Sequence, residues 1–501
     1  MKSRKFERMP LCVPIADEDT ILLLFQEQNR SFESTLPSLM KSLRNLAPLF
    51  LVFACLAIAG CGQKDLPKAV EPVASERPAL KIWLVDAPEL EKEISLRWQA
   101  ASDQALKILN FSSDRVAKED PFNADVVIYP AILLGDLVQR QAIGRLPAQG
   151  LGKGGPENGS GEKISLNPST WHVRWRTSAT FGNQLYAVPL GLANLSVVMT
   201  GLDPSPLNDA NRLLSQTKDF NSQSMEYWSL FVNQAETNLA GNKSERVQTL
   251  AEQLEKWTSE EKGVLVDRFL FLASTTTARS RGLFELVKME SRLNQVEFSN
   301  SAKILSRLAH LFPDTIAIEP TKAWELAMSK TEAGFAIGSP SSFAGTTSDA
   351  SGNATVAKLA WNPGRGLLAS IGKKTRQTAV SSLFLAWIAE PEQRESLRSV
   401  CTRVELTAEQ NDRNNVRDDY RAFQGINNRD LRVEPMGLSL RMANANQYRA
   451  ILADCLVEAI REPDRIDSIM AGCSSNWDKL TAKLGIEAQR LSEEQSLGFS
   501  K

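Results

Sequence analysis

The sequence has 501 residues and a formal net charge of −1 at pH 7, from 58 Lys and Arg against 59 Asp and Glu. Hydrophobic residues make up 43% and charged residues 23%, values typical of a globular protein. A chain of this length exceeds what one core organises, so we expect two or more lobes. The balanced charge, without basic blocks, argues against nucleic acid as a partner.

The N-terminal part of the chain consists of a polar segment followed by an apolar one. Residues 1–39 are polar and mixed in charge, unlike an export signal, and we interpret them as a misassigned extension before a true start at Met40. Lys41 and Arg44 then precede an apolar stretch up to Gly60, which is the layout of a secretory signal. The stretch is too short for a comfortable bilayer span.

The apolar stretch ends in Leu56-Ala57-Ile58-Ala59-Gly60-Cys61, which resembles the lipobox of bacterial lipoproteins. The resemblance implies that residues 40–60 are removed and that Cys61 is lipidated, with several acyl chains giving stable anchoring. An ordinary signal peptide or an N-terminal anchor helix is the alternative. Residues 61–79, rich in Pro, Lys and Glu, are interpreted as a tether.

The first elements after the tether alternate between strand and helix. Leu80–Val85 is a β-rich apolar run, and apolar residues recur at helical spacing from Leu90 to Ala105. Ala124–Pro130 is a second strand ended by proline, and Leu133–Val138 marks another helix. This order predicts a parallel α/β sheet.

The remaining chain is mainly helical. The glycine-rich residues 148–164 predict a surface loop, because no strand leads into them and no Gly-Lys-Ser/Thr ends them, as a phosphate-binding loop requires. Helical periodicity resumes from Thr375 to Pro391. Two further helices are predicted at about 446–461 and 465–485.

Residue types typical of catalysis are scarce. His172 and His310 are the only histidines, and neither they nor the cysteines have metal-ligand spacing. The chain also lacks Gly-x-Ser-x-Gly and a dinucleotide fingerprint. We therefore expect no enzyme activity, no cofactor and no metal.

Four segments, in order, resemble family 1 extracellular solute-binding proteins, the receptors of ABC importers for sugars and similar solutes. Residues 181–190, Phe-Gly-Asn-Gln-Leu-Tyr-Ala-Val-Pro-Leu, resemble the family signature "yGgklYAvPl". Residues 124–147, 323–338 and 366–393 resemble three other family segments. The resemblance covers about residues 80–484.

This resemblance implies a periplasmic-binding-protein-like fold of two α/β lobes with a ligand cleft between them, closing by hinge motion. The first lobe would hold 80–190 and 364–425, and the second 191–363 and 426–501. It further implies an extracytoplasmic monomer that captures a small solute, such as a carbohydrate, for an ABC permease. A lipoprotein of the same fold with a non-transport binding or structural role is the alternative.

Cleft residues in such proteins lie at strand ends and in crossing loops. Asp86 is a candidate for sugar hydroxyls or an N-cap for the helix after Pro88, and backbone groups at Pro130 are candidates to face the cleft. Asn194 either contacts solute or is an exposed loop amide. Trp361 either stacks on a pyranose or packs in the core. Arg365 either holds an anion or is a solvated loop arginine.

Cys455 and Cys473 are predicted to face each other across a helical hairpin. They lie eight residues before and ten residues after Pro463, at similar heights along antiparallel helices. Export permits a disulfide between them, and two buried free thiols are the alternative. Cys401, which the family resemblance places in the other lobe, is expected to be unpaired.

Overall fold

The computed structural model describes residues 78–118, 122–147, 167–208, 223–277, 282–340, 354–361, 364–405 and 438–499. All of them belong to one unit of the chain, Arg77–Lys501. The predicted extension, the signal peptide, Cys61, most of the tether and the glycine-rich segment lie outside the described residues.

Twelve strands lie within the described residues, numbered here in chain order. They are β1 (Leu80–Val85), β2 (Leu106–Phe111), β3 (Val126–Pro130), β4 (Thr180–Phe181), β5 (Gln184–Leu185), β6 (Val188–Pro189), β7 (Leu195–Thr200), β8 (Phe284–Glu285), β9 (Glu290–Ser291), β10 (Gly334–Gly338), β11 (Thr355–Trp361) and β12 (Leu367–Ile371).

Fifteen α-helices lie within the same residues. They are α1 (Glu91–Ala101), α2 (Ser113–Lys118), α3 (Leu134–Gln139), α4 (Val173–Ser178), α5 (Gln223–Asn238), α6 (Lys243–Leu254), α7 (Ser259–Thr276), α8 (Val296–Leu311), α9 (Pro313–Ile316), α10 (Pro320–Ser329), α11 (Thr378–Ile388), α12 (Pro391–Val400), α13 (Ala445–Arg461), α14 (Ile466–Leu484) and α15 (Ile486–Ser496).

The first lobe is built on a mixed sheet with strand order β2-β1-β3-β12-β6. β1 runs parallel to β2 and β3, and β12 runs antiparallel to β3 and β6. Both faces are covered, because Ile82 and Leu84 pack with Trp98 of α1 while Trp83 and Val85 belong to the core on the opposite face. Burial on both faces explains the nearly continuous apolar sequence of β1.

The second lobe is built on an antiparallel sheet with strand order β10-β7-β11. Alternate residues of β7 serve different cores: Val197 joins the large core with helices α5 to α8, α13 and α14, whereas Val198 packs with Trp324 of α10. Helices and sheets are thus combined in both lobes, and the predicted two-lobed α/β fold class is confirmed.

The chain passes between the two sheets twice within the described residues. It leaves the first sheet after Pro189 and enters the second at Leu195, and it returns between Trp361 and Leu367. The third crossing, predicted after about residue 425, falls outside the described residues.

Candidate functional site

The two crossing segments lie side by side. The backbone N–H of Leu190 donates to the carbonyl oxygen of Leu367 at 2.7 Å, and that of Ala131 donates to Gly366 at 2.8 Å. A Cβ atom on Gly366 would lie 2.1 Å from the carbonyl oxygen of Gly191, so only glycine permits this approach. The crossings therefore form one backbone layer at the end of the first sheet.

Asp86 and Pro130 lie at the carboxyl ends of neighbouring strands, next to this layer. Leu84 of β1 is opposite Ile128 of β3, which places Asp86 and Pro130 at the same level two residues further on. Pro130 is itself buried and opposite Leu367. The parallel strands thus bring two of the predicted site residues next to the crossings. We call this end of the first sheet the carboxyl edge.

The carboxylate of Asp86 binds the start of helix α2. It accepts the backbone N–H of Ser113 at 3.0 Å and also the hydroxyl of Ser113. The alternative role, as N-cap of the helix after Pro88, is wrong, because Ala87 occupies that N-cap position. The exposed Asp86 also accepts a hydrogen bond at its backbone carbonyl from Arg403.

Asn194 lies in the first crossing segment, directly before β7. It is 2% exposed, so the alternative of an exposed loop amide is wrong. Its Oδ1 finds no hydrogen-bond donor among the described residues. Trp361 ends β11 opposite Leu195, the next residue along from Asn194, and its side chain lies outside the description.

A carboxylate that the sequence analysis missed holds the first crossing. Glu405 accepts backbone N–H groups from Leu192, Ala193 and Asn194. Burial raises the pKa of Glu405, while Arg398 and the three backbone donors oppose that change. Glu405 follows the first-lobe helix α12, and no local sequence signal connects it with residues some 210 positions earlier.

Arg365 lies in the return crossing and points to the second lobe. Its Nε is 3.5 Å from Oδ2 of Asp267 in α7, and its side chain is 25% exposed. Asp267 is buried and also accepts a hydrogen bond from Arg449 of α13. The alternative of a solvated loop arginine is therefore wrong, and the charge of Arg365 is compensated within the protein.

Arg268, the neighbour of Asp267, is a second residue that the sequence analysis missed. It is fully buried and donates to the carbonyl oxygens of Ile337 at 2.9 Å and Ile318 at 3.0 Å. Burial lowers its pKa to about 9. The sequence does contain a signal for this site: an adjacent Asp-Arg pair interrupts the apolar helical run of residues 264–273. Charged residues in a buried helix need partners, so the pair indicates a buried polar contact.

A hydrogen bond next to the crossings links the two lobes, and contacts within the first lobe flank it. The hydroxyl of Thr321, in α10, donates to Oγ1 of Thr402 at 3.1 Å. On either side of Thr402, Cys401 donates to Oε1 of Glu89 at 2.9 Å and Arg403 donates to the same oxygen at 3.1 Å. Burial raises the pKa of Cys401 to about 12, so this thiol stays protonated.

Two grooves lie away from the carboxyl edge. These open grooves, of about 230 Å³ and 560 Å³, are lined by residues around Gln141 and Lys373, at the opposite end of the first sheet. None of the five predicted ligand residues lines them. Among the residues described, no cluster of His, Cys, Asp and Glu could hold a metal ion, and none of the helices has the length and apolar character to cross a bilayer.

Cys455 and Cys473 face each other across the C-terminal hairpin, as predicted. Helices α13 and α14 occupy 445–461 and 466–484, each within one residue of the predicted ends. The structure has both cysteines as free thiols in hydrogen-bond contact with each other. The disulfide between them stays a prediction, as does the unpaired state of Cys401.

The chain is similar to known proteins in structure but not in sequence. No family model matches the chain, and no curated protein matches it by sequence. Maltose-bound MalE3 of T. maritima has a TM-score of 0.48 and 13% identity, over 80% of this chain and all of that one (100%).

Two other solved structures are similar in extent. An ABC transporter solute-binding protein of Agrobacterium vitis S4 with bound D-mannitol has a TM-score of 0.47 and 12% identity, over 81% of this chain and 99% of that one. The maltose-maltodextrin binding protein of Alicyclobacillus acidocaldarius has a TM-score of 0.46 and 12% identity, over 80% of this chain and 100% of that one. Because these TM-scores are below 0.5, the two-lobed fold is inferred from the sheets and crossings of this chain and not from the likeness.

Proposed function

We propose that this protein is a lipid-anchored extracytoplasmic receptor that captures a small solute, a carbohydrate in the first instance, for an ABC importer. The observation that carries the proposal is the pair of adjacent crossing segments at the carboxyl edge of the first sheet. Ligands of open α/β sheets bind outside the carboxyl ends of the strands, and clefts between lobes are preferred sites. The four segments that resemble family 1 solute-binding proteins support the same function.

The charges at the carboxyl edge favour a neutral solute. Arg365 is compensated by Asp267, and Arg403 by Glu89. An anionic solute would have to compete with these carboxylates. The buried Oδ1 of Asn194 offers an acceptor to a hydroxyl group, and hydrogen bonds of this kind suit polyhydroxylated solutes.

The two crossings supply the hinge in this proposal. Lobe motion would rotate the second sheet about Leu190–Asn194 and Gly364–Gly366, while contacts such as Thr321 to Thr402 form on closure. The predicted lobes, 80–190 with 364–425 and 191–363 with 426–501, the monomeric state and the permease partner belong to the same proposal.

Ligand titration of the full chain carrying Cys61→Ser tests the function. Tryptophan fluorescence and thermal unfolding are followed while maltose, D-mannitol and, as an anionic comparator, glucose 6-phosphate are added. A neutral sugar or polyol should give a saturable change in both signals. At 100 times its dissociation constant, a ligand stabilises the folded state by about 2.7 kcal/mol.

Asn194→Ala should weaken that response, and Asn294→Ala, at an exposed position of the second lobe, serves as the control. Loss of one neutral hydrogen bond corresponds to roughly 0.5–1.5 kcal/mol, or about a two- to tenfold weaker affinity. No response across a wider panel of sugars and polyols would favour the non-transport alternative.

A further inference from the structure

The end of the first sheet opposite the crossings carries a cluster of cations. The two grooves meet there and share Gln141, and the described residues that line them include no carboxylate. Four lining residues and the adjacent, exposed Arg376 are basic. We call this set the cationic edge: Arg140, Arg145, Lys373, Lys374 and Arg376.

Arg140 interacts electrostatically with Asp136 of α3, whereas the other four cations of this edge have no acidic partner among the described residues. Arg140 donates to the carbonyl oxygen of Val116 at 2.5 Å, and Lys373 donates to Oε1 of Gln141 at 2.7 Å. Within the described parts of the chain, the members other than Arg140 form no ion pair. All five side chains are exposed, so their positive charges can interact with solvent ions or with a charged surface beside the protein.

Two carboxylates among the described residues lie at the same end of the sheet: the exposed Asp103, just before β2, and Asp125, which is turned inward. Asp125, at the start of β3, is 8% exposed. It accepts the backbone N–H of Lys81 at 2.9 Å and the hydroxyl of Thr375 at 2.5 Å. Lys81 and its cross-strand neighbour Lys107 are exposed and add two further cations near this end.

The chain arrives from the predicted lipid anchor at this same edge. Gln377 donates to the carbonyl oxygen of Ala79 at 3.3 Å, just before β1 begins. Asp125 bridges the strands, because its N–H donates to Lys81 and its carbonyl oxygen accepts from Gly372, each at 2.9 Å. Gly372 thus lies two strand spacings, about 10 Å, from the start of β1. Residues 61–77 span at most about 60 Å.

We propose that the cationic edge docks onto the anionic headgroups of the membrane that carries the anchor, leaving the carboxyl edge of the sheet on the far side. For its biological setting the inference rests on the proposed lipidation of Cys61. Each cation close to an anionic lipid surface strengthens binding by about fivefold. The attraction falls off within a Debye length of about 8 Å at physiological salt, so it needs the short range that the anchor provides.

Vesicle binding of the full chain with Cys61→Ser, which carries no lipid, tests the charge contribution through the difference between neutral and anionic vesicles, because the apolar stretch before residue 61 can insert into both. The protein is sedimented with vesicles of phosphatidylcholine and with 7:3 phosphatidylcholine to phosphatidylglycerol, at low salt and at 0.5 M NaCl. We expect stronger binding to the anionic vesicles than to the neutral ones at low salt, and no such difference at 0.5 M NaCl. The full chain also contains Glu119 and Asp120, two carboxylates that precede Phe122 in sequence and lie outside the described residues. Use of the full chain therefore includes their negative charge in the measurement.

Charge reversal locates the surface. The triple variant Lys373→Glu, Lys374→Glu, Arg376→Glu should bind anionic vesicles at least tenfold more weakly. The control Lys256→Glu, Lys479→Glu, Lys483→Glu makes the same net change at exposed second-lobe positions and should bind nearly as the parent does. The neutral pair Lys374→Gln, Arg376→Gln gives a milder test if charge reversal impairs folding.

Equal binding to both vesicle types, or equal losses in the two triple variants, would overturn the proposal. These outcomes are separate from the failure of the proposed function, since vesicle binding is measured without solute. The sugar titration, in turn, is measured without vesicles.

Discussion

Arg365, in the segment that returns to the first lobe, forms an ion pair with Asp267 of the second lobe, with 3.5 Å between Nε and Oδ2. Asp267 is buried, and Arg449 from α13 occupies its other oxygen. One carboxylate therefore connects the hinge to the helical core of the second lobe. Arg365 is placed by this partner and is not free to bind an anionic solute.

Removal of the charge at Asp267 should be strongly destabilising. Asp267→Asn leaves the buried guanidinium of Arg449 without its counterion, and breaking a buried pair in this way costs about 3–5 kcal/mol. Arg365→Gln should cost less, because Asp267 keeps its hydrogen bond from Arg449 and the Arg365 pair is longer, at 3.5 Å. Guanidinium denaturation of both variants measures the difference, and equal effects would contradict this view of Asp267.

Because of the buried Glu493, we expect the protein to lose stability as the pH rises from about 5 to 7. This carboxyl group in α15 is 3% exposed. Burial raises its pKa from 4.5 to about 7, opposed by the hydroxyl of Ser496 and by Arg441. Because the folded state binds the proton more tightly than the unfolded state, the contribution is complete below pH 4.5 and is lost as the pH passes 7.

The size of this effect is on the order of 3 kcal/mol. Glu493→Gln should remove the dependence, so the free energy of unfolding at pH 5 and pH 7 is compared for the parent and the variant. Glu487→Gln, at an exposed position of the same helix, is the control. A parent protein that gains stability across this window, and a variant that gains it equally, would contradict the assignment.

Cys455 and Cys473 are predicted to form a disulfide when the protein is exported into an oxidising compartment, by exchange with a disulfide donor. The thiols are already in contact, and the closed loop is short, so the bond should add about 3 kcal/mol to the free energy of unfolding. Peptide mapping without reductant should recover the linked pair. Cys401, with its pKa near 12, should stay unlinked and should resist alkylation at pH 8 in the folded protein.

Lipidation is tested at Cys61. Mass spectrometry of the protein from its native membrane should find an acylated Cys61 as the first residue. Cys61→Ser should abolish membrane retention through the anchor and leave an unprocessed or released protein. Recovery of an intact, unacylated peptide across residues 40–61 would refute the lipoprotein interpretation.

Local patterns in the sequence were sufficient for several elements but not for all of them. Helical spacing was continued to Ala105, whereas α1 ends at Ala101 and β2 (Leu106–Phe111) follows, and the sheet predicted to be parallel is mixed. The two-lobed fold class was implied by the resemblance to family 1 solute-binding proteins. The apolar run of β1 predicted a strand because both of its faces are buried, and the apolar stripes of α13 and α14 predicted their ends to within a residue. Helix boundaries that depend on distant partners were less accurate. Thr375 looked like the start of α11, but its hydroxyl donates to Asp125 and the helix begins at Thr378.

The roles of the site residues were decided by tertiary structure. The strand pattern placed Asp86 at a strand end, and the resemblance to family 1 solute-binding proteins implied that Asn194 and Arg365 lie at the crossings. Which groups they meet depends on chain segments far away: Arg403 lies 317 residues from Asp86, and Asp267 and Glu405 come from other helices and loops. Hydrogen bonds and ion pairs act over a few ångströms of space, so only folding determines which charges are free for a solute and which are compensated within the protein.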